Sequence, residues 1–184
     1  MVNRSVLNYL LLPVLLLAVI LAGCGYTTRS LLPSDIKTIR VDNFKNSVNV
    51  AAEQSNIRMY RGYRPGMEID ITTTVINKFL LDGTLKIASE SSADLILKGE
   101  LVDFRREPLR YDANDNVEEY RIKLIVNLEM TNRKTGAVMW TESGFAGETT
   151  YFSVGSQAKS ETAAVTAAID DLARRVVERT VEVW

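Results

Sequence analysis

Between Tyr120 and Met130 the chain alternates almost without error. Tyr120, Ile122, Leu124, Val126, Leu128 and Met130 share one parity, and Arg121, Lys123, Asn127 and Glu129 share the other; only Ile125 breaks the polar side. Successive side chains of a strand point to opposite faces, so this run specifies a strand with one buried and one half-solvated face. A one-residue slip would exchange the two faces, which pins its register. The rest of the fold must supply neighbours for this strand and a cover for its apolar side.

The neighbours are legible around it. Asp94–Arg106 contains L-I-L-K-G-E-L-V-D-F, a long strand whose alternation slips at Gly99, predicting a bulge there, and which Pro108 ends. Asp112–Asn116 is a polar loop. Asn132–Gly136 is a hairpin loop with Gly near its end, and the return strand Ala137–Gly144 points Val138 and Trp140 to one face. Gly144–Gly155 continues as strand or as loop. Upstream, Ile36–Phe44 alternates at Ile39 and Val41 and reads as the first strand, and Leu85–Ala88 as a short one.

Two helices can form the cover. Met67–Leu81 ends at Gly83, with a stripe of Ile69, Thr72/Thr73, Ile76 and Phe79/Leu80. Its β-branched run Thr72–Ile76, and alternation at Ile69, Ile71 and Val75, also fit a strand. Glu161–Val183 is capped by Ser160 and buries Val165, Ile169, Leu172, Val176 and Thr180; Asp170–Arg174 and Asp171–Arg175 are spaced as i,i+4 ion pairs. Val48–Met59 has room for a short helix of weak period. The expected fold is α+β: a single-layer, mostly antiparallel sheet of about four strands with two helices packed on one face.

The N-terminus has a different grammar. Arg4 precedes the apolar run Leu10–Ile20, which leads to Leu21-Ala22-Gly23-Cys24. A basic start, a short apolar stretch and small residues before a cut describe a secretory signal. L-A-G-C resembles the lipobox of bacterial lipoproteins, in which the Cys is acylated, so the expected division is a signal peptide over 1–23, a lipidated tether over 24–35 and one domain over 36–184. The alternative, an uncleaved anchor helix, needs about 20 apolar residues, and Val6–Gly23 carries Asn8 and Pro13. Gly25, in place of the Asp that retains lipoproteins at the inner membrane, points to the outer membrane.

Composition excludes more than it suggests. Net charge is −1, so nothing global points to nucleic acid. There is no His and one Cys, which removes the usual ligands of zinc, copper and haem and every Ser-His or Cys-His pair. Asp112-Ala-Asn114-Asp115-Asn116 opens like a calcium loop, but the sixth and twelfth places are Val117 and Lys123 where Gly and Glu are needed. Glu100, Asp103, Glu107, Glu118 and Glu119 alternate with bases along strand surfaces, unlike a hydrolytic carboxylate pair in a cleft. No enzyme, cofactor or metal site is expected.

A family resemblance covers nearly the whole mature chain. C-G-Y (24–26), L-P-S-D-I-K-T-I-R-V (32–41), F-K-N (44–46), P-G-M-E-I (65–69), F-L-L-D-G-T-L-K-I (79–87), A-D-L-I-L-K-G-E-L (93–101), P-L-R-Y-D (108–112), E-Y-R-I-K-L-I-V (119–126) and T-G-A-V-M-W (135–140) follow one another in order. In that order and spacing the chain resembles the LptE family, the lipopolysaccharide-assembly lipoproteins. It departs at Ser47–Arg64, which is longer than the family's usual link. The resemblance implies an outer-membrane lipoprotein, lipid-anchored on the periplasmic side, that plugs an LptD-like β-barrel and assists lipopolysaccharide insertion. The rival is a lipoprotein subunit of another envelope transport or secretion complex with no lipopolysaccharide binding.

An outer-membrane address makes lipid A phosphates the available anion, and Arg offers them bidentate donors. The basic groups are Arg58/Arg61/Arg64, interleaved with Tyr60 and Tyr63; Arg105/Arg106/Arg110; and Arg133/Lys134 at the 132–136 hairpin. The last pair has no acid beside it in sequence and belongs to a tip that should project from the sheet, far along the chain from the lipidated end. Candidate lipopolysaccharide contacts are therefore Arg133, Lys134, Arg58, Arg61 and Arg64, and the candidate lipid attachment point is Cys24.

Overall fold

The computed structural model describes residues 32–33, 35–48 and 64–182. The signal peptide, Cys24, the start of the tether, Arg58, Arg61 and the helix considered within 48–59 lie outside the described residues. In chain order the elements are β1 (Thr38–Val41), β2 (Lys45–Asn46), α1 (Met67–Asp82), β3 (Lys86–Ile87), β4 (Leu95–Tyr111), β5 (Val117–Asn132), β6 (Val138–Phe152) and α2 (Glu161–Glu182).

The alternating run is the centre of β5. Ile122, Leu124, Val126, Leu128 and Met130 are buried against Leu95, Leu97, Leu101 and Phe104 of β4, under α1 and α2. Each such side chain contributes about 1.5–3 kcal/mol relative to exposure. The fold is α+β as expected, but its sheet is mixed and six-stranded, in the order β3-β1-β4-β5-β6 with β2 also on β4. β4, β5 and β6 form the antiparallel meander, whereas β1 runs parallel to β3 and β4, and β2 parallel to β4. The long link through α1 acts as a crossover, and a crossover permits the parallel pairing that a hairpin forbids.

Gly99 is not a bulge. A Cβ there would collide with the Phe44 ring, so the glycine lets the chain between β1 and β2 cross the strand. The slip falls one turn of the pleat later, between Leu101 and Asp103. Pro108 does not end β4 either; it pairs with Tyr120 inside the strand. Among the described residues no strand lies on the other side of β4 beyond Leu101, so the missing N–H costs no ladder bond. β6 continues to Phe152, which resolves 144–155 as mostly strand. A register shift opposite Met130/Thr131 sends Val138 outward and Trp140 into the core, so they do not share a face.

α1 is helical despite its threonines, whose hydroxyls bond back to the carbonyls four residues earlier: Thr72 to Glu68 (2.7 Å), Thr73 to Ile69 (2.9 Å) and Thr74 to Asp70 (2.8 Å). Its buried stripe is Met67, Ile71, Thr72, Val75 and Phe79. That is rotated from the expected one and leaves Ile69 66% and Leu80 61% exposed. The rotation places Thr72 where its Oγ1 accepts the Phe44 N–H at 2.9 Å. α2 follows its predicted stripe, and Ser160 Oγ accepts from Ala163 N at 3.2 Å. The expected i,i+4 pairs do not form. Asp170 instead meets Lys78 of α1 (2.7 Å), and Asp171 takes Arg174 (2.6 Å) and the Glu148 N–H (3.0 Å). With Arg175 donating to the Ala146 carbonyl, α2 side chains close part of the outer edge of β6. Gly147 makes this approach possible, since a Cβ there would overlap Leu172.

Candidate functional site

The sheet has two ends of different make-up, defined by the direction of β4. At the first, where β4 begins, the chain enters the fold through half-buried Leu32 and buried Ile36. Asp94 organises this end. Its Oδ2 accepts from the Lys37 N–H (3.0 Å), the Thr38 N–H (3.1 Å) and Thr38 Oγ1 (2.8 Å), and its Oδ1 meets Lys134 Nζ at 2.7 Å. The Lys134 ammonium first, then the Lys37 amide and the Thr38 hydroxyl, hold this carboxyl well below the usual carboxylate range. Arg133 is tied to the same strand, its Nε donating to the Ala93 carbonyl at 2.6 Å and its N–H to the Asp94 carbonyl at 2.8 Å.

This changes the standing of Arg133 and Lys134. The hairpin tip is remote from the N-terminus in sequence, but in space it packs beside residues 37–38, at the end where the tether enters. The acid missing from its sequence neighbourhood arrives from Asp94, 40 residues upstream of Lys134. Arg133 still lines an open depression of about 640 Å³ with Arg40, Ser89, Glu90, Ser91 and Ile96. Arg40 in turn pairs with Asp42 at 2.6 Å.

At the second end β4 and β5 run on as an arm. No residue of β4 beyond Phe104 is buried, and on β5 burial starts at Ile122. The root of the arm is an aromatic and ionic stack. The Arg106 guanidinium lies 4.1 Å from the centroid of the Tyr120 ring, Tyr120 stacks on Tyr151 at 5.7 Å, and Arg106 Nη1 meets Glu161 Oε2 at 2.6 Å. Burial works against the Arg106 charge, but Tyr120, Tyr151 and Glu161 outweigh it and raise its pKa. Burial pushes the Tyr151 phenol up. Further out, Arg110 reaches Glu119 at 3.6 Å and lies over Phe152 at 5.5 Å, beside exposed Leu109 and Tyr111. Arg105 pairs with Asp103 at 2.7 Å. The tip is a self-contained turn in which Asp112 accepts from Asn114 N, Asn116 N and Asn116 Nδ2. Arg64 points to this half of the molecule, donating to Thr162 Oγ1 at 3.2 Å near the start of α2.

The face of the sheet away from the helices carries a groove of about 460 Å³ between Lys45 and Ser143. Its carboxylates are engaged: Glu129 with Lys98 (3.0 Å), Glu142 with Arg179 (2.8 Å), Asp42 with Arg40, and Glu100 with Ser47. Among the described residues no cluster of three or more Asp, Glu, His or Cys could hold a metal ion. Nor is any described helix long and apolar enough to cross a membrane. Asp94 and Tyr151 escaped the sequence reading because their roles depend on partners more than 30 residues away.

The family described as LptE, lipopolysaccharide-assembly, matches residues 36–180, the whole sheet and nearly all of both helices. The chain belongs to the LptE family. Solved structures are similar to this chain at low identity. The hypothetical protein CT253 from Chlamydia trachomatis is 7% identical, with 79% of this chain and 95% of that one covered at a TM-score of 0.50. Rare lipoprotein B from Shewanella oneidensis is 15% identical, with coverage of 77% and 92% and a TM-score of 0.44. The PelC dodecamer from Paraburkholderia phytofirmans is 14% identical, with coverage of 85% and 96% and a TM-score of 0.47. No curated protein matches this LptE-family chain in sequence.

Proposed function

We propose that this chain is an outer-membrane lipoprotein, acylated at Cys24, that serves lipopolysaccharide assembly as the plug and partner of an LptD-like β-barrel, and that it binds lipopolysaccharide itself. The observation that carries the reading is the family match over residues 36–180. The signal-like N-terminus ending in L-A-G-C supports the anchor. The reading is further supported by the arm of β4 and β5, whose β4 end, from Pro108 to Tyr111, is exposed and which carries Arg105, Arg106 and Arg110 close to Leu109 and Tyr111. Cations beside apolar side chains suit a ligand that carries phosphates and acyl chains together. Lys134 holds Asp94 much as Arg105 and Arg106 hold Asp103 and Glu161, whereas Arg110 stands 3.6 Å from Glu119 beside exposed Leu109 and Tyr111. Arg110, and Arg64 on the same half of the molecule, therefore come first among the cations, ahead of Arg133 and Lys134, and Arg58 and Arg61 remain candidates from sequence.

The test compares two charge reversals in lipopolysaccharide binding by the soluble domain lacking residues 1–24. Arg64→Glu with Arg110→Glu should weaken binding about tenfold or more at low salt, with the difference shrinking at high salt. Arg133→Glu with Lys134→Glu should weaken it less. Binding unchanged by both pairs and insensitive to salt would refute phosphate recognition by these cations.

A further inference from the structure

Apart from Ile69 in the first turn of α1, the exposed large apolar side chains of the described residues divide between the two ends. Leu109, Tyr111 and Val154 belong to the arm end, whereas Leu80, Leu81 and Val138 belong to the end where the chain enters. Leu80 and Leu81 are 61% and 81% exposed in the last turn of α1, although Phe79 beside them is fully buried and supplies the core contact of that turn. Single exposed leucines are ordinary, but two adjacent ones at a helix end are a protruding apolar step.

Their position says what meets them. Gly83, in the left-handed conformation at φ 74, stops the helix and turns the chain into β3. There the Lys86 N–H donates to the Lys37 carbonyl at 3.0 Å, and Lys86 pairs in register with Thr38. The leucine step is therefore joined, through five residues and a ladder bond, to the segment that leads back to Cys24. Cys24 and Leu32 are eight positions apart in sequence, which full extension limits to about 29 Å. A bilayer holding acyl chains on Cys24 thus lies within that reach of this end. The flanking charges balance, Lys37 and Lys86 against Asp35 and Asp82, and the Asp82 carboxylate is occupied by the Thr84 N–H at 3.1 Å. Lysines on long stems can keep their ammonium groups in the headgroup layer while leucines enter it.

We propose that the Leu80–Leu81 turn is a second, non-covalent membrane contact, inserting into the phospholipid surface beside the acylated cysteine and fixing the tilt of the domain on its anchor. The proposal rests on acylation of Cys24 and is independent of the barrel partner. Because insertion is apolar and the local charge is balanced, the contact is insensitive to salt.

The experiment uses the acylated mature protein, purified without any partner and reconstituted in phosphatidylethanolamine/phosphatidylglycerol vesicles. An acylated Cys24 has no free thiol, so Leu81→Cys accepts an environment-sensitive fluorophore at one position. Asn114→Cys, in the loop at the opposite end of the sheet, is the control, and intact mass reports acylation in the same sample. The expected result is a blue-shifted emission at position 81, quenched several-fold more by nitroxide-bearing lipids than at position 114, at low and high salt alike. Solvent-like emission at both positions with Cys24 acylated would overturn the proposal alone. A blue shift at 81 without lipid quenching would overturn it in favour of a second copy covering the turn. An unmodified Cys24 in the mass would remove the lipoprotein reading and this contact with it.

Discussion

Replacing Asp94 tests whether one carboxylate holds the tether end together. Asp94→Ala removes the acceptor for two backbone N–H groups and one hydroxyl, and the counter-charge of Lys134. The Lys37 amide is exposed and water replaces its bond, so the loss concentrates on Thr38, whose amide and hydroxyl are partly buried. Hydrogen bonds to a charged acceptor contribute about 1.5–3 kcal/mol each, and the half-exposed Lys134 pair adds less than about 1 kcal/mol. Because both Thr38 bonds are only partly buried, each takes the low end of that range. The expected cost is about 3–4 kcal/mol, a fall of about 10 °C in Tm for a domain of this size. Asp94→Asn keeps the shape and loses the charge, so it should fall between. The folded-state pKa of Asp94 lies below its unfolded value, so its stabilisation is complete above about pH 4 and is lost as pH falls through the folded pKa. The gap between wild type and Asp94→Asn should therefore close as pH drops below about 4. Urea unfolding of the soluble domain at pH 7 and at pH 3 measures both. Equal midpoints at pH 7, or a gap that widens at pH 3, would refute the reasoning.

Gly147→Val should destabilise by about 2–3 kcal/mol in the same assay, because the added side chain occupies the place of Leu172 and lifts α2 from the sheet. Asp171→Ala leaves the Glu148 N–H without its acceptor on the β6 edge; a loss of about 1 kcal/mol is expected, together with greater self-association by light scattering. Arg106→Gln should cost about 1–2 kcal/mol, since it breaks the Glu161 pair and the Tyr120 stack at the root of the arm. Calcium at millimolar concentration should leave Tm unchanged, because Asp112 is satisfied within its own turn.

Elements whose signal is local were legible. The alternation of 120–130, the Asn132–Gly136 hairpin and the stripe of α2 need only neighbours within a few residues. The parallel strands were not, because nothing in T-I-R-V states that its partners are Lys86–Ile87 and Leu95–Leu97 on the far side of a helix. The expected stripe of α1, Ile69, Thr72/Thr73, Ile76 and Phe79/Leu80, shares Thr72 and Phe79 with the buried one but is rotated from it, because Ile69 and Ile76 are as apolar as Met67, Ile71 and Val75. The choice between them is made by tertiary packing, which buries Met67, Ile71, Val75 and Phe79 in the common core. Gly99 reads as a bulge and Gly147 gives no signal of its own, yet both are points where another segment touches the backbone. At the candidate site the cations were visible in sequence, but Asp94, which neutralises Lys134, was not.

The central claim is that the acylated protein is the plug of an outer-membrane β-barrel. A plug buries an obligate-sized interface, above about 2,000 Å², and should survive mild detergent. The direct measurement is native mass spectrometry of the acylated full chain extracted from outer membranes. A stable complex with a β-barrel protein, carrying lipopolysaccharide, is the predicted result. A lone monomer, or a complex with the subunits of a different envelope machine and no lipopolysaccharide, would contradict it.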